Sequence, residues 1–358
     1  MLMLETFDDV KTALNDVMSS AAVGLDIETT GLNPRADKIR LVQLATPRDV
    51  YVLDAFKTDV RVLKPLFESP DGPILTGHNL KFDLSFLRRA GIEAPRGARL
   101  FDTMLASKLL SAGEEVRHGL SFVVSRYLNE TIDKLLQKSD WSGDLTYEQI
   151  EYAARDAHVL LPLRNVLMKE LLAAKLTNAA AIENRALPAL VWMEDHGVLI
   201  DVPAWKEHAD KLAIEVADIE KELVKCTGKL LNWRSNQQVL RLLRERGHHI
   251  DTTDDDVLKP IASTDEVIKL ILHHREVSKK YTAFGHLFLE FVSDDSRIHP
   301  DFDQIGAVSG RMTCRKPNLQ QIPRDVTYRS FFTSPEGRIL IKADYSQIEL
   351  RIAAEITN

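Results

Sequence analysis

Two carboxylates interrupt an otherwise apolar strand near the start of the chain. Val23, Leu25 and Ile27 alternate with Gly24, Asp26 and Glu28, a period of two that predicts a strand with one apolar face. Residues two apart on a strand point the same way, so Asp26 and Glu28 stand side by side. Like charges at that spacing repel, and burying them is costly unless a cation neutralises them. The chain must therefore either leave this strand face in water or build a cation site over it.

The surroundings predict an α/β unit. Strand patterns recur over residues 39–45 and 50–53, with a turn at Pro47-Arg48-Asp49, and over 74–77. A helix follows over 81–89, ended by Gly91. Thr146-Tyr147-Glu148-Gln149 reads as a capping box opening a long helix through Ala174. Residues from about 176 to 300 read as helical. Asp201 is a candidate N-cap ahead of a seam of Leu212, Val216, Ile219 and Leu223, closed near Gly228, and Ser235 and Ser263 are candidate caps for two further helices. From 301 onward the chain reads as extended and loop-rich, ending on a strand pattern over 339–345.

Composition narrows the classes. No apolar run approaches the length that spans a bilayer, and the N-terminus lacks the basic flank of a signal peptide, so a cytoplasmic protein with no membrane contact is expected. Cys226 and Cys314 form no C-x-x-C pair, which argues against a zinc knuckle or disulfide framework. The pairs His248-His249 and His273-His274 are adjacent and so diverge in direction, a poor metal arrangement. The net charge of −7 alone argues against nucleic acid, but the distribution does not. Between Gln304 and Ala343 seven basic residues face only Asp325 and Glu336. A basic stretch on an acidic chain is a better nucleic-acid signal than the total.

Three further residues share the chemistry of Asp26 and Glu28. Asp83 lies in the first turn of the helix after His78-Asn79-Leu80-Lys81-Phe82, and Tyr152 and Asp156 are four apart and share a helix face. Each signal is commonplace alone; their order and context are not. Leu25-Asp26-Ile27-Glu28-Thr29-Thr30-Gly31-Leu32 resembles the first exonuclease motif of the DEDD superfamily, His78–Asp83 the second, and Tyr152-Ala153-Ala154-Arg155-Asp156 the third in its tyrosine form. Asp102-Thr103-Met104-Leu105-Ala106-Ser107 and His118-Gly119-Leu120-Ser121 also resemble proofreading domains. Four carboxylates without a histidine or cysteine cluster make a hard oxygen site suited to Mg²⁺ or Mn²⁺. The resemblance implies two ions, the first held by Asp26, Glu28 and Asp156 and the second by Asp26 and Asp83, with Tyr152 orienting the attacking water and nucleoside monophosphates leaving a DNA 3′ end.

A second resemblance covers the C-terminal block. Asp303–Met312 and Pro317–Pro323 resemble the primer–template segment of family A DNA polymerases, the bacterial polymerase I type, and Asp344-Tyr345-Ser346-Gln347-Ile348-Glu349-Leu350-Arg351 resembles their motif A. Asn232-Trp233-Arg234-Ser235 and the helix through Arg275–Tyr281 are similar to thumb segments. The resemblance implies that Asp344 is a polymerase metal carboxylate, that Tyr345 and Glu349 select the nucleotide, and that Asn79, Arg311, Arg315, Lys316, Gln320 and Arg351 contact nucleic acid.

The expected architecture is α/β. An RNase H-like 3′–5′ exonuclease domain at 1–175, a mixed sheet flanked by helices, precedes a helical linker and thumb-like domain at 176–300 and an incomplete polymerase palm at 301–358. The family's fingers and second palm carboxylate lie beyond motif A, so this chain by itself is expected not to polymerise without a C-terminal polymerase chain or segment supplying them. A non-catalytic DNA-holding subunit of a split polymerase is one alternative. An RNA exonuclease of the RNase D type is another, which the motif A stretch opposes.

Overall fold

The computed structural model describes residues 1–357 apart from 70, 95, 96, 98, 133–135, 137 and 138. The chain divides into two compact units: Met1–His196 with Asp301–Arg315, and Gly197–Pro300 with 316–358.

The first unit is built on a six-stranded sheet: β1 (Leu2–Leu4), β2 (Ala22–Thr29), β3 (Ile39–Ala45), β4 (Val50–Asp54), β5 (Ile74–Gly77) and β6 (Leu100–Asp102). Their spatial order is β1-β4-β3-β2-β5-β6. β3 runs antiparallel to both neighbours and the other pairings are parallel, so the sheet is mixed. The seven residues of β3 are all buried, as expected of a central strand covered on both faces. Helices α1 (Phe7–Ser19), α2 (Lys64–Glu68) and α3 (Leu80–Arg89) cover one face, where Val10, Val17, Leu80, Leu84 and Leu87 pack against Val23, Leu25 and Ile27. α4 (Thr103–Leu110), α5 (Leu120–Leu128), α6 (Tyr147–Ala173) and α7 (Thr177–His196) complete the unit. The opposite sheet face, with Leu41, Ala45 and Val52, lies under Tyr152, Ala153 and Ala157 of α6. The expected capping box starts α6: Thr146 accepts the N–H of Gln149, whose side chain accepts the N–H of Thr146.

The segment 301–315, where the sequence reading begins its third block, groups with this first unit. Asp301–Asp303 and Thr313–Arg315 pair as an antiparallel hairpin. Lys81 of α3 binds it, its Nζ lying 2.6 Å from Asp301, 2.6 Å from the Phe302 carbonyl and 2.7 Å from Glu194 of α7.

The second unit is mainly helical: α8 (Val202–Thr227), α9 (Asn236–Glu245), α10 (Asp255–Ile261) and α11 (Glu266–Phe284). The seam of Leu212, Val216, Ile219 and Leu223 is buried as expected, against Val239, Leu258 and Ile268, with Asp201 as N-cap and Gly228 in the left-handed conformation after the last turn. Fully burying each such side chain stabilises by about 1.5–3 kcal/mol. Three features depart from expectation. α11 is capped by Asp265, not Ser263, because Arg246 and His248 hold the Asp265 carboxylate where it accepts the Val267 N–H. The block is not wholly helical: Val198–Ile200 pairs with Arg297–Ile298 and with Phe332–Thr333 in a small antiparallel sheet beside the fully buried Trp205. Finally, 339–345 forms no strand: Ile339, Leu340, Ile341 and Tyr345 are exposed and no described strand runs beside them. Alternation makes a strand only where a neighbour completes the ladder. Among the described residues, no helix is long and apolar enough to cross a membrane.

Candidate active site

β2 and α6 come together because Gly24 lets them. A Cβ placed on Gly24 would stand 2.4 Å from the Ala157 carbonyl, so only glycine permits α6 to rest on β2 here. That approach sets Tyr152 and Asp156 over the strand face carrying Asp26 and Glu28. The Tyr152 hydroxyl and the Asp156 carboxylate influence each other's proton affinity, in keeping with their four-residue spacing on one helix face. The β2–β3 register shifts after Glu28, a bulge at the edge of the acid pair.

Asp83 arrives by a different device. β5 ends at Gly77, and Asn79 (φ 64°) turns the chain through the left-handed region, which asparagine tolerates better than most residues. The carboxylate of Asp102, at the end of β6, accepts the N–H groups of Asn79 (3.1 Å) and Leu80 (2.7 Å) at the start of α3. It also accepts those of Met104 (2.7 Å) and Leu105 (3.2 Å) at the start of α4. One buried acid thus caps two helices and aims the first turn of α3, where Asp83 is 2% exposed. Asn184 of α7 in turn accepts the Asp102 backbone N–H at 2.6 Å.

The four carboxylates perturb one another. Burial first, and Asp156 second, hold the Asp26 carboxyl well above the ordinary range. Burial, then Asp26 and Asp156, push Glu28 up to about 9. Burial and Asp26 raise Asp83. Burial pushes Asp156 up to about 6, held down by the Tyr152 hydroxyl and by Arg155. Burial and Asp156 raise the Tyr152 phenol. Asp26 and Glu28 are half-buried as whole residues.

The donor set fits a hard divalent cation. Four oxygen-bearing side chains from three elements lie within electrostatic reach of their neighbours, Arg155 is the one cationic side chain among the described residues that bears on them, and among those residues Asp156 Oδ1 is buried with no hydrogen-bond partner. As the side chains stand, no three acid, histidine or cysteine groups among the described residues form a ligand set, so gathering them onto a cation takes side-chain rotation.

The residues of the second resemblance are differently placed. Asp344, Tyr345 and Glu349 lie in the exposed C-terminal segment of the second unit, and Arg351 donates to the Ser346 carbonyl there. Arg315 is engaged by Asp301 at 2.7 Å. Arg311 belongs to the first unit, Lys316 and Gln320 to the second, and all three are exposed. The adjacent histidines are structural: His248 meets Asp265 at 3.0 Å and His274 meets Glu220 at 2.9 Å.

Asp102, Asn184 and Lys81 carry no site role in the sequence reading. An acid ending a short apolar strand before Thr103-Met104 is a cap signal for α4, but its reach back to α3 depends on β5 and β6 being neighbours.

Residues 1–172 match the sequence family described as 3′-5′ exonuclease, and residues 202–358 match DNA polymerase family A. DNA polymerase I of Aquifex aeolicus is 34% identical over 378 residues, covering 97% of this chain and 62% of that protein. DNA polymerase I of Borreliella burgdorferi is 31% identical over 309 residues, covering 82% of this chain and 33% of that one. Among solved structures, the POL domain of Pol1 from M. smegmatis, in complex with DNA primer-template and dNTP, superposes with a TM-score of 0.82 at 22% identity, over 99% of this chain and 62% of that one. The chain thus spans less than two thirds of the relatives it matches.

Proposed function

The chain belongs to DNA polymerase family A and carries a 3′–5′ exonuclease domain, and from this we propose that it removes nucleoside monophosphates from DNA 3′ ends as a proofreading nuclease. The observation that carries the reading is the cluster of Asp26, Glu28, Asp83 and Asp156, four carboxylates from β2, α3 and α6 whose proton affinities burial and like charge raise. Both families use divalent metal, and we read the site as one for two ions, Mg²⁺ or Mn²⁺. Asp26, Glu28 and Asp156 would hold one and Asp26 with Asp83 the other. Bound there, the ions supply counter-charge to the phosphodiester and acidify water.

The protein groups then have distinct tasks. Tyr152, beside Asp156 on the same face of α6, presents its hydroxyl to the attacking water and orients it. Asn79, held in its turn by Asp102, stands one helical turn from Asp83, where it can meet the terminal nucleotide. By the same membership we read 1–175 as the exonuclease, 176–300 as a thumb-like region and 301–358 as the opening of a palm. In that palm Asp344 is a metal carboxylate, Tyr345 and Glu349 select the nucleotide, and Arg311, Arg315, Lys316, Gln320 and Arg351 contact DNA. The test is digestion of a 3′-labelled single strand: Asp26→Asn and Asp156→Ala should reduce it to background while keeping the fold, and unchanged digestion by either defeats the reading.

A further inference from the structure

Gln43 is a polar side chain buried inside the sheet that no step above uses. It lies on β3, is 0% exposed, and among the described residues neither its amide nitrogen nor its amide oxygen has a hydrogen-bond partner. The β2–β3 register sets it directly opposite Asp26. Directly opposed residues of an antiparallel pair share a face with Cβ atoms roughly 5 Å apart, within reach of a glutamine side chain. Its same-face neighbours on β3, Leu41 and Ala45, pack under α6 with Tyr152 and Ala153, so Gln43 lies on the face that carries the carboxylates.

An unpaired buried amide is destabilising, and leucine or methionine of similar volume would avoid that cost. Nothing in the sheet's packing needs an amide here, since the flanking same-face residues are apolar. The acid that the strand register sets directly opposite the amide is Asp26. Carboxylates that hold metal ions are themselves oriented by outer hydrogen bonds.

We propose that Gln43 is a positioning residue for Asp26: its amide N–H donates to the Asp26 carboxylate in the cation-holding state and fixes the direction of that ligand. The proposal rests on the exonuclease reading above.

The test uses the full chain with Gln43→Leu and, independently, Gln43→Met. Three quantities are read: the melting temperature in EDTA, Mn²⁺ affinity by calorimetry, and the Mn²⁺ concentration giving half-maximal digestion of a single strand. The expected result is a cation-free melting temperature at or above wild type, with Mn²⁺ affinity weakened about 10–100-fold in both variants. A merely structural amide would not weaken cation binding while leaving the cation-free protein intact. Wild-type Mn²⁺ affinity in either variant overturns the proposal, as does a lower cation-free melting temperature in both. A wild-type chain that neither binds Mn²⁺ nor digests a 3′ end overturns the exonuclease reading along with it, whereas an active wild type matched by its variants overturns this proposal alone.

Discussion

The Asp102 carboxylate accepts the Leu80 N–H at 2.7 Å, joining the end of β6 to the start of α3 across 22 residues of sequence. Through that bond an acid outside the carboxylate cluster sets the direction of the helix turn that carries Asp83. Asp102→Asn keeps the shape but turns an amide donor toward a backbone donor, leaving buried N–H groups unpaired. A loss of about 1–3 kcal/mol in urea unfolding is expected, together with reduced nuclease activity. Wild-type values for both would show that the two helix starts do not depend on this carboxylate.

Tyr152 and Asp26 should separate cleanly. Tyr152→Phe removes the hydroxyl and should slow single-strand digestion on the order of 10²-fold while leaving the rise in melting temperature with Mn²⁺ in place. Asp26→Asn should abolish both. If Tyr152→Phe instead loses the Mn²⁺ response, the hydroxyl serves the cation site and not the water.

The carboxylate cluster makes stability depend on pH in a direction opposite to that of paired acids. Glu28 at about 9 and Asp156 at about 6, with Asp26 and Asp83 also raised, keep their protons in the folded chain at pH values where the unfolded chain has lost them. The folded state then binds more protons, so without cation its stability should fall from about pH 4 through Asp156 and on to about pH 9. Mg²⁺ or Mn²⁺ displaces those protons, so its stabilising effect should grow over the same range. Melting curves in EDTA and in Mn²⁺ between about pH 5 and about pH 9 measure both slopes; a flat EDTA series would refute the account.

Lys81 bridges Glu194 and Asp301, all three at least partly buried, and burial already raises the Glu194 carboxyl despite the lysine beside it. Lys81→Met should leave Glu194 without its cation and Asp301 with Arg315 alone, and cost about 2–4 kcal/mol of stability. Limited proteolysis reports the same event, since cleavage within 301–315 should quicken in the variant. A hairpin equally resistant in both proteins would mean that the ion pairs do not hold it.

In the helical unit, Asp265 is held far below the usual carboxylate range, first by Arg246 and then by His248 and the Val267 N–H. A depressed folded value gives stability above the unfolded pKa that is lost as pH falls. Asp265→Ala should therefore cost about 1 kcal/mol at neutral pH, the worth of the cap, and progressively less below about pH 4. Urea unfolding at about pH 7 and about pH 3 gives the two differences; equal losses at both would rule out the ionised cap as the cause.

Local order was legible in the residues because it depends on local chemistry. Alternation placed β2, strand runs parted by a turn at Pro47-Arg48-Asp49 placed β3 and β4, a capping box placed the start of α6, and the i, i+4 spacing set Tyr152 beside Asp156. The acids of the cluster could be named from the sequence because their order and context resemble the exonuclease motifs, although each acid alone is commonplace. Competing partners misled the reading at Ser263, where Arg246 and His248 favour Asp265 as the cap, and at 339–345, where alternation lacks a described neighbouring strand.

What tertiary structure alone decided are relations between elements distant in sequence. Asp26 faces Gln43 because β2 and β3 pair in one register, and a slip of one residue would turn either side chain to the other face. Asp102 caps α3 because β5 and β6 are neighbours, and Lys81 meets Asp301 across 220 residues. The sequence determined which groups carry charge and which elements they ride on. Their mutual distances, and hence their raised proton affinities, follow from packing that no local pattern encodes.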